Sequence, residues 1–237
     1  MLSHLIKEPF LGFQPEALKF LKALSNPKNN NREWFENHRD NYENYLKQPM
    51  KDLIDTLAGE INKIDPNIVV NYKSIFRINR DIRFSKNKTP YKNLYSAAFV
   101  FDRIKSAELP HFYFQFTSNE FLFAGGQYSM DSINLKKIRK AIYINFDNYE
   151  SIVTNKKFKK VYGDVLGESL TRLPKGYENL EEINVSPLLI KTIKQKQFYV
   201  YKKYEADVIM NEKIVDIILD NIILLYDFTK FLYLAIK

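Results

Sequence analysis

Residues 73–92 gather the side chains best suited to holding an anion. Lys73, Arg77, Arg80, Arg83, Lys86, Lys88 and Lys92 stand there against Asp81 alone, a net charge of +6 in twenty residues. Guanidinium groups match the planar, two-oxygen geometry of carboxylate and phosphate, and lysines add longer-range attraction. The whole chain carries 36 Lys and Arg against 28 Asp and Glu, a net +8. That balance suits a polyanionic partner. It also suits a lysine-rich surface drawn from A/T-rich codons, because Asn, Ile, Tyr and Phe are abundant too. Arginine is not favoured by such codons, so the three arginines point beyond composition.

Read as a strand, residues 73–84 alternate between two faces. Ser74, Phe76, Ile78, Arg80, Ile82 and Phe84 share an apolar face on which Arg80 is the misfit. A buried guanidinium must be paired. A carboxylate would make it a staple between helix and sheet, a backbone carbonyl would also serve, and a bulge near Asn79 would turn it outward. The functional alternative is an arginine that recognises a ligand anion. Residues 85–92, SKNKTPYK, form a basic loop in which Pro90 holds Thr89 extended. Such a loop either wraps a phosphate or is simply solvated. The candidate anion-binding set is Arg77, Arg80, Arg83, Lys86, Lys88, Tyr91 and Lys92. At strand rise Arg77 and Arg83 are about 20 Å apart, so both reach one phosphate only across a bend.

A second group would line a polar sheet face beside them. Asp81 shares the face of Arg77 and Arg83. His111, Tyr113 and Gln115 alternate with Phe112, Phe114 and Phe116, and Tyr199 and Tyr201 alternate with Phe198 and Val200. Aromatic and basic groups interleaved on a sheet can hold single-stranded nucleic acid. The same tyrosines would equally pack beneath a helix, and no RNP-type motif accompanies them.

Several chemistries are excluded. The chain has no cysteine, which removes disulfides, thiolate metal sites and cysteine nucleophiles. No GxGxxG, P-loop or GxSxG occurs. The three histidines, His4, His38 and His111, include no pair at helical metal-ligand spacing, so neither a metal nor a cofactor is expected. Gly125 and Gly126 before a helix would admit an anion, or simply serve a turn of positive φ. Three function classes remain. One is a module binding a phosphate-bearing small molecule or nucleic acid. Another is a structural or protein-interaction domain whose arginines are staples. The third is an enzyme on a phosphorylated substrate, with Arg77, Arg80, Arg83 and Lys88 stabilising charge and Asp81, His111 or Tyr91 carrying protons.

These residues need a scaffold. Pro15 opens a first helix with Leu18, Leu21 and Leu24 inward, ended by Asn26 and Pro27. Asn30 and Glu33 have capping-box spacing for a second, along which Trp34, His38, Tyr42 and Tyr45 share a face. Pro49 breaks it and opens a third, with Met50, Leu53, Ile54, Leu57, Ile61 and Ile64 on the 3.6-residue period. Residues 68–84, 94–101, 111–117 and 120–124 read as strands, the last two joined by a turn at Ser118 and Asn119. A helix over 131–144 places Ile133, Ile138 and Ile142 inward, and Asp147 caps a short helix to Val153. Residues 172–187 read as a loop, 197–204 as a strand, and 211–225 as a helix that can continue to Ile236. Local hairpins imply antiparallel pairing. The order describes an α+β fold in one domain over 1–237: a mainly antiparallel sheet packed by N-terminal and C-terminal helices. Its parts are a helical N-terminal portion (about 13–65), a β-rich centre (68–124) and a mixed C-terminal portion. Lys7, Glu8 and Pro9 interrupt any signal sequence, and Asp216, Asp220, Asn221 and Asp227 interrupt the apolar C-terminal stretch. A cytoplasmic protein without a membrane span is expected, its oligomeric state open.

Residues 29–35 (NNNREWF), Tyr42, Pro49 and above all 77–92 (RINRDIRFSKNKTPYK) resemble the domain of unknown function 2461 family. The likeness continues through Gly125, Gly126, Leu135, Ile138, Arg139, Ile142, Leu170, Arg172, Pro174, Gly176, Tyr177 and residues 188–201. It implies a single-domain cytoplasmic protein and assigns no activity. This chain has Asn87 where similar proteins tend to carry Asp, and residues 226–231 lack a proline often found there.

Overall fold

The largest side chains that this fold buries completely are nearly all phenylalanines, from Phe99 in the middle of the chain to Phe228 near the C-terminus. In the computed structural model, residues 9–102 and 108–237 are described. The N-terminal helices are α1 (Pro15–Ser25), α2 (Arg32–Asn37), α3 (Arg39–Tyr42) and α4 (Gln48–Ile64), with a π-helical turn, Glu43–Lys47, leading into α4. The strands are β1 (Ile68–Val69), β2 (Tyr95–Phe101), β3 (His111–Phe116), β4 (Glu120–Gln127) and β5 (Phe198–Glu205). Between β4 and β5 lie α5 (Ser132–Ile144), α6 (Phe146–Val153), α7 (Lys156–Tyr162) and α8 (Pro187–Lys194), and α9 (Lys213–Ile236) ends the chain. The five strands form one antiparallel sheet of order β1-β2-β3-β4-β5, with Ile68 opposite Phe101 and Val69 opposite Val100. The fold is α+β. None of the described helices is long and apolar enough to cross a membrane.

The described residues group into two compact units. The first holds residues up to 102, 113–123 and 203–221; the second holds 108–112, 124–202 and 222–237. In the first, all seven residues of β2 are buried. Met50, Leu53, Ile54, Leu57 and Ile61 of α4 are buried as their period requires. Phe13 packs on Phe116 at 4.8 Å, and Phe20 meets Phe35 at 6.1 Å. In the second, Phe158 meets Phe228 at 5.6 Å and Tyr149 meets Phe231 at 5.5 Å. Phe112, Phe114 and Phe116 are all buried, as alternation along β3 predicts.

Several local expectations are corrected. Residues 68–84 are not one strand. After Val69 a capping box turns the chain: Asn71 Oδ1 accepts from the Lys73 amide at 2.9 Å, and Ser74 Oγ accepts from the Asn71 amide at 3.2 Å. Only isolated bridges follow, Ile75 with Ala97 and Asn79 with Tyr91. Alternation therefore ends early, and Phe84 is 96% exposed rather than in the core. The cap of α2 is Asn31, which accepts from the Trp34 amide at 2.9 Å, so Asn30 is free for another role. The second helix is not continuous. It breaks at His38, whose ring stacks on Trp34 at 4.0 Å, and its chain then passes through the π turn into α4 without ending at Pro49. Pro49 sits in the first turn of α4, where its missing N–H costs little. Ile133 is exposed, whereas Ile138 and Ile142 are buried. Asp147 lies inside the first turn of α6, which starts after Asn145. Helices α7 and α8 add to the elements expected from the sequence. Each is short and rich in lysine, with a buried stripe of two or three residues. Residues 1–8, on which most of the leader reading rests, lie outside the described residues.

Candidate functional site

The basic segment is shaped by a narrow two-stranded contact. The Arg80 amide donates to the Pro90 carbonyl at 2.8 Å, and the Lys92 amide donates to the Ile78 carbonyl at 2.8 Å. These two bonds flank the Asn79–Tyr91 bridge and leave residues 81–89 as the connecting loop. Tyr91 is buried at this joint. Its ring stacks on Phe35 at 4.0 Å and 13°, and burial pushes its phenol above the usual range. Asn30 holds it from the other side, accepting from the Tyr91 amide at 3.0 Å and donating to the Tyr91 carbonyl at 3.1 Å. The same Asn30 amide group donates to the Leu24 carbonyl at 3.0 Å.

A concavity of about 340 Å³ opens between the end of α1 and this segment. Its polar lining includes Ser25, Asn30, Arg80, Asn87, Thr89 and Lys92. Arg80 is half-buried. Its guanidinium donates to Thr89 Oγ1 at 2.7 Å and to Ser85 Oγ at 3.4 Å. Thr89 Oγ1 in turn donates to Asn87 Oδ1 at 2.8 Å, and the Thr89 amide donates to the same oxygen at 3.0 Å. The partners expected for Arg80, a carboxylate or a backbone carbonyl, are replaced by two hydroxyls. Among the described residues no carboxylate pairs with it. Arg80 therefore lines the concavity half-buried and is not enclosed in the core.

The other candidates divide. Lys92 reaches the concavity, donates to the Arg77 carbonyl at 3.1 Å and lies 5.5 Å from the Phe76 ring. Burial, with Arg77 nearby, pushes its ammonium below the usual lysine range. Arg77 and Lys86 are exposed and do not line the concavity. Arg83 is turned outward and forms a two-pronged ion pair with Asp81, Nε to Oδ1 at 3.0 Å and an Nη to Oδ2 at 2.7 Å. That pair holds the Asp81 carboxyl below the usual carboxylate range. Lys88 folds back on the Ile82 carbonyl at 3.0 Å. In the first unit, the Tyr113 hydroxyl donates to Gln115 Oε1 at 2.8 Å. In the second unit, His111 Nδ1 donates to the Leu109 carbonyl at 2.6 Å, and burial lowers the pKa of its ring. Tyr199 meets Tyr128 edge-on at 5.0 Å, and Tyr201 is exposed.

Sequence reasoning missed Asn30, Ser85, Asn87 and Thr89 as members of the site. The signal lay in the hydroxyl residues five and nine positions after Arg80 and in the run of three asparagines before α2. The carbonyls ending α1 carry the negative end of the helix dipole, which disfavours an anion. Neutral donors cover them here: Asn29 caps Ala23, Asn30 caps Leu24 and Ser25 caps Lys22. Among the described residues no three His, Asp or Glu side chains stand close enough to share a metal ion.

The chain belongs to the DUF2461 family of conserved hypothetical proteins, whose model matches residues 16–231. No curated protein matches it.

Proposed function

We propose that the protein is a binding module whose Arg80 concavity takes the phosphate or carboxylate end of a small anionic ligand. One observation carries the reading. Arg80 is half-buried, oriented by Thr89 and Ser85, and has no carboxylate partner among the described residues. A structural staple would spend the guanidinium on a protein carboxylate, as Arg83 does on Asp81. Here the two hydroxyls use part of the five-donor fork and leave its charge uncompensated. Lys92 adds a second positive charge, and Asn87, whose oxygen is occupied by Thr89, has its amide donors for a ligand oxygen.

The volume suits one phosphate group with a modest attached moiety. Arg77 and Lys86, exposed outside it, support an extended version in which a polynucleotide backbone runs past the pocket. We place the protein in the cytoplasm, where phosphorylated metabolites and nucleic acids are concentrated. Calorimetric titration with inorganic phosphate, nucleoside monophosphates and a short single-stranded DNA, each at two salt concentrations, tests the reading. Saturable binding of the small ligands, abolished by Arg80→Ala, is the supporting result. Steep salt dependence with preference for the oligonucleotide marks the polynucleotide version. Absence of saturable binding at low salt refutes both.

A further inference from the structure

The second unit carries a larger groove, of about 940 Å³, between α9 and the α5–α7 helices. On one side α9 also contributes Leu224, Phe231 and Ala235, and among its lining residues Ile223, Asp227, Lys230 and Leu234 make one stripe. Their spacing of four, three and four residues keeps them within about 60° of one another on an α-helix. Ile223 is 59% exposed and Leu234 57% exposed. These two exposed aliphatic side chains stand at opposite ends of the stripe, with Asp227 and Lys230 between them.

The order of residues along the stripe says which partner. It reads apolar, acidic, basic, apolar, and it is symmetric about the midpoint between Phe228 and Thr229. Turned end for end, the same stripe sets Leu234 against Ile223 and Lys230 against Asp227. A two-fold interface requires that self-complementarity, because residue i meets residue j of the partner and the reverse contact repeats it. The sequence extends the pattern one step, with Asp220 and Lys237 equally far from the same midpoint.

We propose that α9 forms the core of a two-fold dimer, with the same helix of a second copy laid antiparallel in the groove. The apolar ends supply the driving force, since burying each exposed aliphatic side chain removes it from water. The central charges set register and orientation more than strength, as exposed ion pairs contribute little by themselves. The opposite wall is mainly polar, from Asn148, Ser151 and Asn155, with one cation, Lys157, beside them.

Sedimentation velocity on the full chain decides the matter. Wild type should shift with concentration towards twice its 28.1 kDa mass. Asp227→Lys and Lys230→Asp should each remain monomeric, because each sets like charges against each other across the axis. An equimolar mixture of the two should dimerise, since each Lys of one then faces an Asp of the other. The double swap, Asp227→Lys with Lys230→Asp, should restore the homodimer. Circular dichroism checks that each variant is folded, and if either single variant is not, the double swap carries the decision. A wild type that stays monomeric assigns the groove to another occupant and overturns the proposal. So does a dimer indifferent to both single reversals, or a double swap that fails to associate.

Discussion

Asn30 meets both backbone polar groups of Tyr91, accepting from its amide at 3.0 Å and donating to its carbonyl at 3.1 Å, across 61 residues of sequence. A side-chain amide thereby does for Tyr91 what a neighbouring strand would do. It joins the loop before α2 to the two-stranded contact that carries Arg80. Its third bond, to the Leu24 carbonyl, ties the end of α1 to the same point.

Asn30→Ala should therefore destabilise the fold by about 2–3 kcal/mol, the cost of leaving buried backbone groups unpaired. Urea unfolding midpoints check this. A loss below about 0.5 kcal/mol would mean that water replaces the side chain, since that is the size of an ordinary surface substitution.

Asn87→Asp should weaken phosphate binding by the pocket while leaving stability nearly unchanged. The carboxylate can accept from Thr89 as the amide does, but it adds negative charge one hydroxyl away from Arg80. Calorimetric titration of both forms with inorganic phosphate measures the effect. Tighter binding by the Asp form would contradict it.

Asp164 joins α7 to α8 through Lys159 and Lys191, the latter at 2.6 Å. Hydrogen bonds from Lys159 and then Lys191 hold its carboxyl down at about 2. A depressed folded-state pKa gives stability that is fully present above the unfolded value near 4 and lost as pH falls towards 2. The site is open to solvent, so its contribution is expected to stay below about 1 kcal/mol. Asp164→Asn should be slightly less stable than wild type at pH 7, and the two should converge near pH 2. Denaturant melts across that range measure the gap, and a gap that persists in acid would be inconsistent with the ion-pair origin.

Gly126 has φ +110°, and an added Cβ would lie 2.2 Å from the Phe198 carbonyl oxygen. Gly126→Ala should cost more than about 2 kcal/mol from backbone strain and steric clash together. Phe84→Ser, by contrast, removes an almost fully exposed ring and should leave the melting midpoint within about 0.5 kcal/mol of wild type. Paired thermal melts of the two variants check both, and an unchanged Gly126→Ala midpoint would show that β4 and β5 can part locally.

What could be read in advance followed from periodicity. The inward faces of α4 and β3 are set by repeating hydrophobic positions, so Leu53, Ile54, Phe112 and Phe114 could be placed from spacing alone. The segment around Arg80 has no such repeat. Its path depends on the Asn71–Ser74 capping box and on Asn30, and neither contact is visible to strand alternation. The basic cluster was legible as composition, whereas its division was not. Arg83 goes to Asp81 and Lys88 to a carbonyl because the 81–89 loop closes on itself, which only the fold reveals. Asn30 has the capping-box spacing to Glu33, but Asn31 one residue later satisfies the Trp34 amide and leaves Asn30 to the interior.

The Trp34–His38 stack belongs wholly to the first unit, and Trp34 is the chain's single tryptophan. Indole fluorescence is consequently a private signal of that unit, sensitive to the loss of an imidazole stacked at 4.0 Å. Far-UV dichroism instead averages over every helix on both sides of the division. Coincident denaturation curves from the two optical probes would identify the units as one cooperative block. Separated curves would resolve two melting steps within a single chain, without any label being introduced.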